Sequence, residues 1–167
     1  MGETANALIL GAGEVAGMPS LEDTFIANRE RVQPNHANNH GSCHGGNVMK
    51  WMDETGAMSA MRLAGRTCVT AGIERMDFKR PVPVGDIASY AYRTGRTSVG
   101  VRIRVFAENP RTGKRELTTE SYFTFVAVDE DGSPMEVPEL RVESDRERRL
   151  RSDAKAEAGG DADAGGE

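Results

Sequence analysis

Cysteines, aromatic residues and long apolar runs are all scarce in this chain, and each shortage excludes something. Only two cysteines occur among 167 residues, Cys43 and Cys68. Their spacing matches no disulfide framework, so they read as reduced thiols in a cytoplasmic protein. No apolar stretch approaches the roughly 20 residues of a membrane span, and no membrane partner is expected. Met1 to Ala16 lacks the basic start and the long apolar core of a secretory signal. Positive charge is in deficit too: 21 Lys and Arg stand against 26 Asp and Glu, a formal net charge of −5, which argues against nucleic acid as a partner. What remains, 38% hydrophobic and 28% charged residues, suits one globular domain with a real core.

Glycine is plentiful, and its placement organises the chain. Asn38-Asn39-His40-Gly41-Ser42-Cys43-His44-Gly45-Gly46 is a polar, glycine-rich turn that runs straight into an apolar-periodic segment. A helix is predicted from about Gly45 to Leu63, with Gly65 as its C-cap. Val48, Met52, Gly56 and Ala60 recur at four-residue spacing, and so do Met49, Asp53, Ala57 and Met61; both rows read as a buried face. Helix-entry N–H groups lack intrahelical partners and sit at the positive end of the dipole. Such a terminus, here His44, Gly45 and Gly46, holds an anion or the oxygen of a polarised carbonyl. Asp53 is an acid in an apolar setting, which is rare unless the acid is paired or used. The plainer alternative places Asp53 on the solvent side and makes the glycines a simple helix-entry turn.

Residues 1–20 read as a flexible N-terminal segment. Gly11-Ala12-Gly13-Glu14-Val15-Ala16-Gly17 imitates a dinucleotide fingerprint, but its third glycine is one place late and no acidic strand end follows. Thr24 to Val32 alternates as a strand and Pro34 ends it. After the helix, strands are predicted at Thr67–Phe78, Ile87–Thr94, Ser98–Glu108 and Glu116–Val128, separated by breakers such as Pro81 to Asp86 and Asn109 to Lys114. The fold class is therefore α+β, one long helix against a five-stranded antiparallel sheet. One helix covers such a sheet poorly, so the open edge and exposed apolar surface predict a dimer joined by sheet edges. Residues 141–167 form a charged tail. Glu143 to Arg151 permits helix, while Ser152 to Glu167 holds too little apolar surface to order. His36, His40 and His44 stand four apart beside Cys43, but Pro34, the asparagines and Gly41 argue against a helix there, so no metal is expected.

The ordered set of motifs resembles the hot-dog-fold acyl-CoA thioesterases, in particular the brain-type acyl-CoA hydrolase group and its short single-domain bacterial relatives. The pieces are Asn38-x-x-Gly41-x-x-His44-Gly45-Gly46, then Val48-Met49-Lys50-x-Met52-Asp53-Glu54-x-Gly56, then Met76-Asp77-Phe78-x-x-Pro81-Val82-x-Val84-Gly85-Asp86. Gly95-Arg96-Thr97-Ser98 and Thr124-Phe125-Val126-Ala127-Val128-Asp129 complete it, so that the likeness spans residues 21–140. It implies a helix wrapped by a curved sheet, a homodimer with sites at its interface, a trimer of dimers, and hydrolysis of fatty acyl-CoA to free acid and CoA with no metal or cofactor. It implies Asn38 and Asp53 as the catalytic pair, supplied from opposite sides of the interface. Lys79, Arg80, Arg93 and Arg96, with Thr97 and Ser98, are the candidates for binding the CoA phosphates. The alternative on the same scaffold is a non-catalytic module that binds or senses acyl-CoA.

Overall fold

The four-residue recurrence after Gly45 folds as a 20-residue helix, α1 (Gly45–Ala64), in the computed structural model, which describes residues 18–81, 85–109 and 111–159. Gly65 ends it at φ +66°, its N–H donating to Met61 O at 2.8 Å, the left-handed C-cap expected from the sequence. Before it lies strand β1 (Ile26–Glu30). After it come β2 (Cys68–Phe78), β3 (Gly85–Thr94), β4 (Ser98–Glu108) and β5 (Arg115–Ala127). These make one five-stranded sheet in the order β1-β3-β4-β5-β2, with every pair antiparallel. β2 and β3 are thus neighbours in sequence but not in the sheet, and β1 and β2 are its two edges.

Strand alternation sorts the sheet into two faces of different chemistry. Val99, Val101, Ile103 and Val105 of β4, with Phe123 and Phe125 of β5, turn inward and are at most 1% exposed. They pack against Val48, Met52, Gly56 and Ala60 of α1, the first of the two rows read from the sequence. Gly56 is where the layers come closest: a methyl built there would stand 2.5 Å from Ile103 Cδ1. The second row departs from expectation. Met49 is exposed and Asp53, Ala57 and Met61 are only half-buried, whereas Trp51, Thr55 and Ser59 are buried instead. Two polar members of that buried row are satisfied locally: Thr55 Oγ1 donates to Trp51 O at 2.7 Å and Ser59 Oγ to Thr24 O at 2.6 Å.

The outer face is polar, and the C-terminal segment covers part of it. Residues expected to form a disordered tail fold as helix α2 (Asp145–Gly159) through the Ala-rich stretch after Ser152. Ser144 and Glu147 form a capping box: Glu147 N donates to Ser144 Oγ at 3.1 Å, and Ser144 N to Glu147 Oε2 at 2.8 Å. Glu147, 2% exposed, also accepts from Glu22 N at 2.9 Å, tying the tail to the N-terminal end of the domain. That end is tied down a second time, since Arg141 N donates to Pro19 O at 2.9 Å and Leu21 N to Arg141 O at 3.0 Å. Of the segments predicted to be flexible, residues 1–17 and 160–167 lie outside the described residues, as do turn residues 82–84.

Candidate active site

The glycine-rich turn is held by Asn38. Its Oδ1 accepts from His40 N at 2.9 Å and Ser42 N at 3.2 Å, and its Nδ2 donates to Ser42 Oγ at 3.0 Å. Gly41 sits at φ +76°, a left-handed angle that glycine adopts without strain. His44 is the N-cap residue by position, and its side chain makes no capping bond. Its carbonyl accepts from Asn47 N and Val48 N, so the first turn closes from there on. Among the described residues no acceptor faces the N–H groups of Gly45 and Gly46, which lie at the start of a 20-residue dipole.

Cys43, Gly45, Val48, Phe78, Lys79, Arg80 and Pro81 line a cavity of about 360 Å³ at this helix entry. Its lining combines apolar Val48, Phe78 and Pro81 with the cations Lys79 and Arg80. Burial pushes the Cys43 thiol above its ordinary value. His36 is engaged elsewhere: its Nδ1 accepts from Gln33 N at 3.1 Å and its ring meets Trp51 edge-on at 5.1 Å. Among the described residues no three His, Cys, Asp or Glu side chains come together as a metal site.

Asp53 lies half-buried at the seam between α1 and β2 and accepts a short hydrogen bond from Thr70 Oγ1. Thr70 was not singled out from the sequence. A lone threonine on a strand carries no local signal, and only the packing of β2 along α1 brings it to the acid. On the same side of β2 as this pair, Met49, Met58, Ile73 and Phe78 are each between 39% and 51% exposed, and Val69 is exposed on the other face of the strand. The free edge of β2 runs along the same strip.

One chain does not bring the whole predicted constellation together. From Gly46 to Asp53 the helix rises roughly 10 Å, so the free N–H groups and the acid of one copy cannot meet the same carbonyl. The basic candidates divide as well. Lys79 and Arg80 stand just past the Phe78 end of β2, their N–H groups both bonded to Thr118 O. Arg96, Thr97 and Ser98 stand at the Cys68 end, where Ala127 N donates to Thr97 O at 3.0 Å and Ser98 pairs with Val126. An 11-residue strand separates the two groups by roughly 33 Å. Arg93 is committed on the outer face: it bonds Glu74 and Thr124 Oγ1 and lies across Gly100, where a Cβ would stand 2.5 Å from Arg93 Cγ.

Comparison with known proteins agrees with this architecture. Residues 40–114 match the model of the thioesterase superfamily. The chain is 35% identical over 136 residues to the acyl-CoA thioester hydrolase YkhA of Bacillus subtilis, covering 80% of this chain and 79% of that one. A hexameric acyl-CoA thioesterase in its apo form superposes with a TM-score of 0.76 at 38% identity, over 82% of this chain and 90% of the other. The acyl-CoA hydrolase of Staphylococcus aureus, solved with butyryl-CoA, CoA and CoA disulfide, superposes at 0.77 with 30% identity, over 83% and 87% of the two chains. Alanine variants of that hydrolase at an asparagine, an aspartate and a threonine are solved in the same fold.

Proposed function

Because this chain belongs to the acyl-CoA thioester hydrolases of the thioesterase superfamily, it is an enzyme that splits acyl-CoA into a carboxylic acid and CoA, and we propose that Asp53 of one copy and Asn38 of another carry the reaction between them. The observation behind this reading is the Asp53–Thr70 pair, half-buried at the acid and exposed at the threonine, set among exposed apolar side chains beside an open strand edge. Pairing two β2 edges antiparallel would lay the Cys68 end of one copy against the Phe78 end of the other. That places Asp53 and Thr70 of the first copy near Asn38, Gly45 and Gly46 of the second. It also brings Arg96, Thr97 and Ser98 of one copy to the side of Lys79 and Arg80 of the other, gathering cations for the CoA phosphates. Burying the exposed Met, Val, Ile and Phe side chains of both copies drives the association. The apo hexamer among the relatives supports three such dimers in one assembly.

The steps follow from the groups. Asp53 takes a proton from water as the water oxygen bonds to the thioester carbon. The carbonyl electron pair moves to oxygen, where the Gly45 and Gly46 N–H groups of the other copy receive it; one such donor is typically worth ~10²–10³ in rate. Asn38 spends one Nδ2 hydrogen on Ser42 and keeps the second for the carbonyl or the water. Collapse of the intermediate breaks the C–S bond, and the CoA thiolate takes the proton from Asp53. Asn38, Asp53 and Thr70 also stand at the same spacing along this chain as the asparagine, aspartate and threonine altered in the Staphylococcus aureus hydrolase. The reaction takes place in the cytoplasm and uses no metal and no cofactor.

The test is thiol release from acyl-CoAs of graded chain length, in the presence of a chelator, with Asp53→Asn as the comparison. Asp53→Asn should lose at least about 10³-fold in kcat while keeping the native oligomer. Full activity in that variant would remove the acid from the mechanism. Tight acyl-CoA binding without turnover in the native protein would instead indicate a binding module.

A further inference from the structure

The outer face of the sheet holds a second cavity of about 400 Å³, which shares Lys79 with the cavity at the helix entry. Arg75, Asp77, Lys79, Arg102, Arg104, Leu117, Glu120, Tyr122 and Glu157 line it. Four cations face three carboxylates in this space. Arg102 sits at its floor, 5% exposed, and donates to Glu120 Oε1 at 2.5 Å, Tyr90 Oη at 3.2 Å and Glu157 Oε2 at 2.7 Å. Tyr122 Oη donates to the same Glu157 oxygen at 2.8 Å. Glu120 is oversubscribed: Lys79 Nζ and Arg104 Nε also point to it, but at 3.8 and 3.9 Å, beyond hydrogen-bond reach. Arg104 Nε is buried and meets no acceptor at all, a condition folded proteins rarely leave uncorrected.

Glu157 differs from the other two carboxylates. Asp77 and Glu120 belong to the sheet, whereas Glu157 arrives from the last turn of α2 and is 49% exposed. It makes no bond to Arg104 or Lys79, which reach only Glu120, at 3.9 and 3.8 Å. Without it, four cations would face two carboxylates.

We infer that this cavity is a binding site for a phosphate group, a phosphate monoester or a diphosphate, and that Glu157 is an internal carboxylate standing in the place of that ligand. A phosphate dianion balances the two-charge excess left when Glu157 withdraws. Its several oxygens match donors that converge from different strands: the Arg102 and Arg104 forks on β4, Tyr122 Oη on β5, and Lys79 after β2. Binding displaces the end of α2, so the ligand and the docked helix compete. The site lies on the opposite face of the sheet from α1, and its assignment stands whether or not Asp53 is the catalytic acid.

The test is calorimetric titration of the full-length protein with inorganic pyrophosphate at low salt, with sodium sulfate as the control for unspecific charge binding. Glu157→Gln should bind about tenfold tighter than the native protein, since it removes the competing charge at constant shape. Arg104→Met should bind at least about tenfold more weakly, with an unchanged melting temperature and oligomeric state showing that it is folded. Hydrogen exchange across residues 145–159 should rise when pyrophosphate binds the native protein. Competition in Glu157→Gln by CoA, but not by CoA lacking its 3′-phosphate, would name the substrate's own phosphate as the source. No competition by either would name a separate phosphorylated ligand. If Glu157→Gln binds pyrophosphate no better than native, or Arg104→Met binds it equally well, the carboxylate is only an anchor for α2 and the inference fails.

Discussion

Gly56 fixes how closely α1 lies on the sheet, and replacing it tests whether that distance sets the position of Asp53. A methyl at Gly56 would stand 2.5 Å from Ile103 Cδ1 and 3.1 Å from the Phe125 ring, both fully buried. Gly56→Ala gains about 1 kcal/mol of helix propensity and costs about 1–3 kcal/mol in overpacking, a net loss of about 1 kcal/mol. Ile103→Val deletes the very carbon in the way and costs about 1 kcal/mol by itself. Independent effects would sum to about 2 kcal/mol. The geometry predicts instead that the double variant is no less stable than Ile103→Val alone, a coupling of about 1 kcal/mol. Urea unfolding at fixed protein concentration measures this, concentration being held because association contributes to stability. Activity should follow the same pattern, because Asp53 lies one turn before Gly56 and moves with the helix away from Thr70. A displacement of 1 Å costs up to about 100-fold, and the double variant should recover most of it. Additivity within about 0.5 kcal/mol, or a Gly56→Ala enzyme of native activity, would refute the claim that this contact positions the acid.

Two further outcomes follow from single contacts. Thr70→Val keeps the shape of the side chain but removes the donor to Asp53, and should lower kcat about tenfold or more with KM little changed; Thr70→Ser should restore it. Glu147→Gln should cost about 1–3 kcal/mol, because backbone donors of Glu22, Glu143 and Ser144 lose their carboxylate. Burial opposes the Glu147 charge, but these donors outweigh it and hold the carboxyl below its ordinary value. A depressed folded value adds stability above the ordinary glutamate range, about 4.3, and that stability is lost as pH falls through the lower folded value. Thermal unfolding from pH 7 down to 3 should therefore show the gap between native and variant narrowing on the acid side.

Local signals were legible where structure is local. The four-residue recurrence and Gly65 marked both ends of α1, and the alternation of Val99, Val101, Ile103 and Val105 marked β4 with its inward face. Pairing order was not, because nothing in the run from Cys68 to Phe78 says that it crosses to the far edge and leaves β3 beside β1. The partly exposed row of α1 was misread for a similar reason. Periodicity reports that neighbouring rows exist, but the burial of Thr55 and Ser59 rests on acceptors at Trp51 and Thr24. The tail looked disordered by composition, and its helix depends on partners more than 30 residues away, such as Tyr122 and Arg102 for Glu157. One local signal for it is present in the sequence: Ser144 followed three residues later by Glu147 is a capping-box pattern. Of the candidate site, Asn38, Gly45, Gly46 and Asp53 were legible as residue types at a helix entry and on its apolar stripe. Thr70 was not, since its role exists only through contact with another element.

In the proposed mechanism the same helix that supplies the chemistry keeps it from being completed in one copy. Its N-terminal amides are useful because twenty aligned residues stand behind them, and its acid is useful because it sits midway along, against the sheet and among apolar side chains. Rigid rise then holds these two assets roughly 10 Å apart, and no change of rotamer brings them together. An antiparallel neighbour solves the problem without altering either helix, since reversal puts the entry of one beside the middle of the other. Exposed Met49, Met58, Ile73 and Phe78 lie on the α1 side of the edge strand where the proposed neighbour would sit. Association and the assembly of the site are on this account one event, so the chain needs no separate device to keep the acid and the oxyanion donors apart before it is assembled.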